Sequence, residues 1–343
     1  MKVAICVATC GRPASLARLL ERLGEIDRTA LAPADAFLVL VDNRPSGEAG
    51  AVCARYRAAL PLPLVFAEEP VPGISFARNR ALAVAFAHGA DFVAFLDDDD
   101  RPRRDWLVHL LAAQRASEAE IVFGFWELPP GVVVGGLLGA CKFFRPPNAG
   151  GVSRYGLPQW AGTYNVLLAR TLVERLAPDG VAFAPELALI GGSDTDLFIR
   201  AVRLGAVVAT APDSLVERGW DPARCTWRGV LKRAFRNGVS HATMERRHLP
   251  RGLFQRRQSK GLLAAGKAYA RVLALPLILL RGRGKRTADL LVDAARRTGE
   301  VWAYFGGGFR YYAAAPPAPP SPLGPVAAAP RLEPAARSAR RPR

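Results

Sequence analysis

Short apolar runs alternate with amphipathic segments through roughly the first two thirds of the chain. The runs at 3–8, 37–41, 64–67 and 92–96 read as buried strands. Between them, 14–23 carries Leu16, Leu19, Leu20 and Leu23 at helical spacing, and 49–59, 75–88 and 106–116 also read as helices. Further strands are expected at 120–125, 165–169 and 207–210, with a helix at 194–204. This alternation predicts an α/β fold whose largely parallel central sheet is covered by helices on both faces. The stretch 129–151 is rich in Gly and Pro around an apolar segment at 132–144, which reads either as a mobile or membrane-facing insertion or as a buried helix. A basic helical region runs from 228 to about 305, and Pro, Ala and Arg dominate 316–343, which predicts a disordered tail. No internal repeat is present.

Polar residues cluster at the ends of the predicted strands. Thr9 follows the first, Asp42 the second, and the run Asp97, Asp98, Asp99 and Asp100 the fourth. Ligands of open α/β sheets bind outside the carboxyl ends of the strands. Four consecutive carboxylates raise one another's pKa unless a cation sits among them. A hard divalent cation, Mg²⁺ or Mn²⁺, is the natural remedy; Mg²⁺ takes one or two carboxylates and leaves its other positions to water and phosphates. A solvated acidic turn before Arg101 and Pro102 is the plainer reading of the run by itself. The shared placement at strand ends favours a site.

Five segments follow in order. Val3-Ala4-Ile5-Cys6-Val7-Ala8-Thr9-Cys10-Gly11-Arg12 is an opening strand and loop. Val39-Leu40-Val41-Asp42-Asn43 ends a second strand, and Pro72-Gly73-Ile74-Ser75-Phe76-Ala77-Arg78-Asn79-Arg80-Ala81 leads into a helix. The run at 95–99 contains Asp-x-Asp, and Gly191-Gly192-Ser193-Asp194-Thr195-Asp196 opens another helix. Together they resemble the family 2 glycosyltransferases, inverting enzymes of the GT-A fold, over residues 1–217.

The resemblance implies a nucleotide-sugar donor, with UDP the expected nucleotide, held by Thr9, Arg12, Asp42, Arg78, Asn79, Asp97 and Asp98. It implies a divalent cation at Asp97 and Asp99 and a catalytic base at Asp194, with Asp196 as the backup. The chemistry agrees, since a metal neutralises the growing diphosphate charge and a base takes the acceptor hydroxyl's proton. Asp42 can accept hydrogen bonds from a base edge, and Arg78 can contact phosphate or orient an acidic loop. One departure is Ser193, where the family usually has Glu; Ser193 is expected to cap the helix. Gln159 is followed at once by Trp160, so the Gln-x-x-Arg-Trp signature of processive synthases is absent, which argues for transfer of a single sugar. Trp160 reads equally as a sugar platform or a core residue, and His241 or His248 is a weaker candidate for the metal shell.

Charge divides the 343 residues unevenly. Residues 1–217 carry a net −3, and residues 218–343 a net +20. The expected organisation is a GT-A domain at 1–217, a basic, mainly helical, membrane-associating extension at 218–315 and the tail at 316–343. Apolar faces mixed with Arg and Lys at 260–280 and 290–312, with the aromatic cluster Tyr304, Phe305, Phe309, Tyr311 and Tyr312, suit helices at an anionic membrane surface. No nucleic-acid-binding module is recognisable. No apolar run reaches the length of about 18 residues that a spanning helix needs. The five cysteines, Cys6, Cys10, Cys53, Cys141 and Cys225, lack a metal-ligand doublet and read as reduced thiols. The expected location is therefore cytoplasmic and peripheral on the inner face of the cell membrane, with a glycan or lipid-linked acceptor. A non-catalytic scaffold or nucleotide-sugar-binding protein on the same fold is the alternative; intact Asp97, Asp99 and Asp194 weigh against it.

Overall fold

The computed structural model describes residues 1–26, 31, 34–44, 46–132, 134–139, 141–145, 153, 155–219, 225–274 and 284–308. Its strands are β1 (Lys2–Thr9), β2 (Asp35–Asp42), β3 (Leu64–Glu68), β4 (Phe92–Asp97), β5 (Arg101–Pro102), β6 (Ile121–Glu127), β7 (Asn165–Ala169) and β8 (Val208–Glu217). They form one sheet in the order β3-β2-β1-β4-β7-β6-β8-β5. The first four are parallel, β7 runs antiparallel to β4 and β6, and β6 pairs with β8 in parallel. Thr9 stands opposite Asp42 and Ala8 opposite Asp97, so β1, β2 and β4 end level with one another.

Alternate strand residues supply two cores. Ala4, Cys6, Val39, Val93 and Phe95 pack on one face with α3 (Ile74–Ala87) and α6 (Ser193–Arg203). Val3, Ile5, Val7, Leu38, Leu40 and Leu96 pack on the other with α1 (Pro13–Leu23) and α4 (Trp106–Ser117). Burial on both faces explains why these strands read as continuous apolar runs. Two shorter helices, α2 (Glu48–Tyr56) and α5 (Arg170–Leu176), follow β2 and β7.

The strand expected at 207–210 runs much further, to Glu217. Its register against β6 shifts at Gly124/Phe125, which hides the period from the sequence. Asn165 holds the irregularity, its side-chain amide donating to the carbonyls of Phe125 at 3.0 Å and Ser214 at 2.9 Å. Pairing of Arg101 with Glu217 then brings the end of β8 beside the exit of the acidic run.

Three long helices follow: α7 (Trp227–His248), α8 (Arg251–Leu273) and α9 (Gly284–Tyr304). The apolar stretch after β6 docks against them: Cys141 is buried with Val230 and Ala234 of α7 and Ala288 and Val292 of α9, with Leu137, Leu138, Phe143 and Phe144 packed alongside. Among its described residues it forms a single helical turn, Gly136–Gly139, and a 3₁₀ turn, Lys142–Phe144, packed on these helices, rather than the expected membrane-facing insertion or buried helix. Tyr304 is also not an interfacial aromatic. It is buried, its hydroxyl donates to Glu245 at 2.6 Å and its ring meets Phe254 edge-on. Phe309, Tyr311, Tyr312 and the tail at 316–343 lie outside the described residues. Among the described residues, no helix is long and apolar enough to cross a membrane.

Candidate active site

The level ends of β1, β2 and β4 make one rim, and the acidic run turns across it, with the Asp100 N–H donating to the Asp97 carbonyl at 3.2 Å. Its four carboxylates fan out to different partners. Asp98 turns inward, where Thr9 Oγ1 donates to it at 2.8 Å and Arg12 Nη1 at 3.0 Å. Burial pushes the Asp98 pKa up to about 6, against the pull of Arg12 and the Thr9 hydrogen bond. Arg12 also reaches Asp99 at 3.5 Å. Asp97 faces Arg78 Nη2 at 3.7 Å. Burial raises the Asp97 pKa, Asp99 and Asp194 raise it further, and Arg78 and Arg218 oppose them. Asp100 is buried, accepts from the Gly219 N–H at 3.2 Å and is raised well above the usual carboxylate range by burial.

Asp42 ends β2 beside Thr9, buried, with the Arg44 N–H donating to its Oδ1 at 2.9 Å. Burial raises its pKa, aided by Glu68 and Glu48. Its neighbour Asn43 pins the following loops, donating to the Glu69 and Val71 carbonyls and accepting from the Gly73 N–H.

The structure brings Thr9, Arg12, Asp42, Arg78, Asp97, Asp98 and Asp99 to this rim but spends several of them on one another. Thr9 and Arg12 brace the acidic turn, and Arg78 orients Asp97. Asn79 stands apart: its carboxamide donates to the Phe183 carbonyl and accepts from the Phe183 N–H, both at 2.8 Å, which fixes the segment leading to α6.

Across the rim, α6 delivers Asp194. Its Oδ1 accepts from the Thr195 N–H at 2.7 Å, and its Oδ2 faces the main chain at Gly162. Its charge raises the pKa of both Asp97 and Tyr164. Asp196 points the other way and cannot serve as a backup base. It is fully buried and held by Arg200 at 2.9 Å, Arg247 at 2.6 Å and His248 at 2.9 Å. This pairing also removes His248 from any metal shell, and His241 lies against Glu300 at 3.1 Å. Ser193 does not cap α6: Gly192 holds the cap position in a left-handed conformation, and the Ser193 hydroxyl is buried without a hydrogen-bond partner among the described residues. Trp160 is half-buried against Phe125, with its indole N–H donating to the Gly124 carbonyl at 3.2 Å.

The surroundings of Asp97 and Asp99 bear on whether the pair suits a metal. Five carboxylates, at 97–100 and 194, face the guanidinium groups of Arg12, Arg78 and Arg218, an excess of acid that suits a divalent cation. Among the described residues, no group of three or more His, Cys, Asp and Glu is arranged to hold an ion. Asp97 and Asp99 could supply two carboxylates to an ion whose other positions are filled by phosphate oxygens and water.

Residues 4–135 match the family described as Glycosyl transferase family 2. The chain is 30% identical over 304 residues to the succinoglycan biosynthesis protein ExoM of Rhizobium meliloti, covering 82% of this chain and 88% of that one. The chain belongs to the family 2 glycosyltransferases. Its fold is similar to that of the mannosyltransferase PcManGT from Pyrobaculum calidifontis, solved with GDP-Man and Mn²⁺, with a TM-score of 0.56 and 18% identity over 88% of this chain and 87% of that one.

Three residues of this glycosyltransferase's site were missed in the sequence: Arg218, Gly219 and Tyr164. Arg218 and Gly219 follow directly on β8, so the carboxyl-end rule would have found them had the strand's true end been legible. Tyr164 precedes β7, which enters the sheet antiparallel, and that rule gives no signal there.

Proposed function

We propose that this glycosyltransferase moves a single sugar, with inversion, from a nucleotide-sugar donor to a hydroxyl of a lipid-linked glycan, aided by a divalent cation at Asp97 and Asp99. The observation that supports the reading most is that Asp194 sits in the first turn of α6 with its charge reaching Asp97 of the acidic turn. The relative named for succinoglycan biosynthesis supports a glycan acceptor, and the structural neighbour solved with GDP-Man and Mn²⁺ supports a metal-assisted nucleotide donor. UDP remains the proposed nucleotide.

Asp42, at the end of β2, accepts from the base edge. Arg12 and Arg78 keep Asp98 and Asp97 in place so that the turn presents a fixed acidic edge. Asp97 and Asp99 would hold the divalent cation, which when bound would supply charge neutralisation to the departing diphosphate. Asp194, in the first turn of α6, takes the proton from the acceptor hydroxyl. Asn79 acts on the donor only through the Phe183 segment it fixes. Gly162 borders Asp194, and the acceptor approaches from that side. The basic helices place the enzyme peripherally on the cytoplasmic face of the membrane, where a lipid-linked acceptor is presented.

The test is a panel of UDP- and GDP-sugars scored for Mn²⁺-dependent hydrolysis and for a rise in melting temperature. One donor should stand out, and its binding should collapse in EDTA and in Asp99→Asn, which removes a charge at constant volume. Equal nucleotide affinity with and without metal, and in the variant, would overturn the metal assignment.

A further inference from the structure

One half-buried cation has no part in the reaction described above. Arg218 follows β8, and its guanidinium lies 4.5 Å from the centre of the Tyr164 ring and 5.8 Å from that of Trp126. Its own N–H donates to the Glu127 carbonyl at 3.0 Å. The Tyr164 hydroxyl donates to the Trp160 carbonyl at 2.7 Å, so the ring beneath the guanidinium is fixed. Gly219 presses the same backbone onto the acidic run: beyond its hydrogen bond to Asp100 Oδ1, a Cβ at this position would stand 2.4 Å from the Asp99 carbonyl oxygen. The other Asp100 oxygen, Oδ2, is buried without a hydrogen-bond partner among the described residues.

Among the described residues, no ion pair within 4.0 Å ties Arg218 to a single carboxylate. Its charge instead acts on several, most on Asp100, then on Asp97 and, more weakly, Asp99. A guanidinium keeps its proton in proteins, so this charge is permanent. Stacking on two aromatic rings fixes its position as well.

We propose that Arg218 is a positioning residue that acts electrostatically, as a built-in cation that holds the acidic turn together in the free enzyme and weakens the grip of Asp97 and Asp99 on a divalent ion. The proposal rests on the reading of that pair as the metal site. With Arg218 present, the two carboxylates alone bind the ion poorly, and the donor's diphosphate oxygens complete the charge balance. Ion and donor therefore load together, and ion and nucleoside diphosphate leave together.

The test is a Mn²⁺ titration of the full-length protein without nucleotide, following the paramagnetic resonance signal of the free ion. Wild type, Arg218→Gln, Arg218→Lys and Asp99→Asn are compared. Arg218→Gln should bind Mn²⁺ about ten-fold more tightly than wild type, the order expected for removing one nearby unit charge in a partly buried site. Arg218→Lys keeps the charge and should stay close to wild type. A merely structural role predicts the opposite sign, because loosening Tyr164 and Gly219 would disorder the turn and weaken the ion's hold. Unchanged or weaker Mn²⁺ binding by Arg218→Gln, with Asp99→Asn losing it, overturns the Arg218 proposal and leaves the metal site standing. Mn²⁺ binding that Asp99→Asn does not diminish overturns the metal site and the proposal together, whereas no binding by any form, Arg218→Gln included, overturns the Arg218 proposal alone. Arg218→Met, whose unbranched chain can lie over the same rings, repeats the measurement if the Gln variant does not fold.

Discussion

Asp194 lies in the first turn of α6 with its carboxylate toward Gly162 and the acidic run, while Asp196, two residues on, is sealed among Arg200, Arg247 and His248. Substituting each by Asn separates chemistry from stability. Asp194→Asn should keep donor binding and folding while transfer falls by about 10²–10⁴-fold, the range for loss of a general base. Asp196→Asn should instead strip the counter-charge from a buried cluster and destabilise the protein by about 3–5 kcal/mol. Its surviving folded fraction should retain near-normal turnover per active site. Urea unfolding and single-turnover transfer with titrated active sites check the pair. A folded, stable Asp196→Asn enzyme with abolished transfer would exchange the two roles. The sequence showed that only one of the two could face the site, because residues two apart on a helix diverge. It could not show which, since the partners that claim Asp196 include Arg247 and His248, at the far end of α7.

At the scale of elements, α7 and α9 cross at glycine. A Cβ on Gly238 would stand 1.9 Å from the Arg296 carbonyl oxygen, and one on Gly299 would stand 2.0 Å from that of Phe235. Buried polar contacts flank the crossing: Glu300 meets His241, Arg296 and Arg297, and Tyr304 meets Glu245. Gly238→Ala gains about 1 kcal/mol of helix propensity. Overpacking costs roughly 1–3 kcal/mol or more, and here it meets backbone that cannot swing aside. Net destabilisation is the expected outcome, read as a lower urea midpoint and faster proteolysis between α8 and α9. A stabilised variant would show that the helices can part at little cost. This contact was illegible in the sequence, where a glycine inside a basic helical stretch reads only as a weak helix former. The parallel strands were legible because burial on both faces leaves an uninterrupted apolar run. β8 was not, because Pro212 and the register shift break its period. Arg218 stayed hidden with it, since its partners at 97–100 and 164 come together only after β8 is placed.

The whole molecule carries its charge asymmetry into three dimensions: the sheet and the acidic rim lie in the half with net −3, and the helices follow in the half with net +20. On α8, Gly261, Ala265 and Ala268 are buried, and Tyr269 bonds Thr298 of α9 through their hydroxyls. What remains outward mixes Leu262, Leu263, Tyr269 and Leu273 with exposed Lys260, Lys267 and Arg271. Leu273 is 83% exposed, Leu263 68%, and Phe305 beyond α9 75%, a concentration of large apolar side chains that water does not favour. This mixed basic and apolar surface is the part proposed to lie on an anionic bilayer. Basic residues near an anionic surface contribute about 1 kcal/mol each and are screened within a Debye length of about 8–10 Å at physiological salt. The apolar side chains add a component that salt does not screen. Flotation with anionic liposomes should therefore recover the protein at low salt, release part of it at high salt and release it fully in alkaline carbonate. Leu263→Asp combined with Leu273→Asp should abolish the salt-resistant fraction while leaving sugar transfer to a soluble acceptor intact. Complete release by salt alone would reduce the contact to charge, and retention in carbonate would require a spanning segment. A protein that stays soluble with anionic liposomes at low salt would show that the basic helices serve another acidic partner.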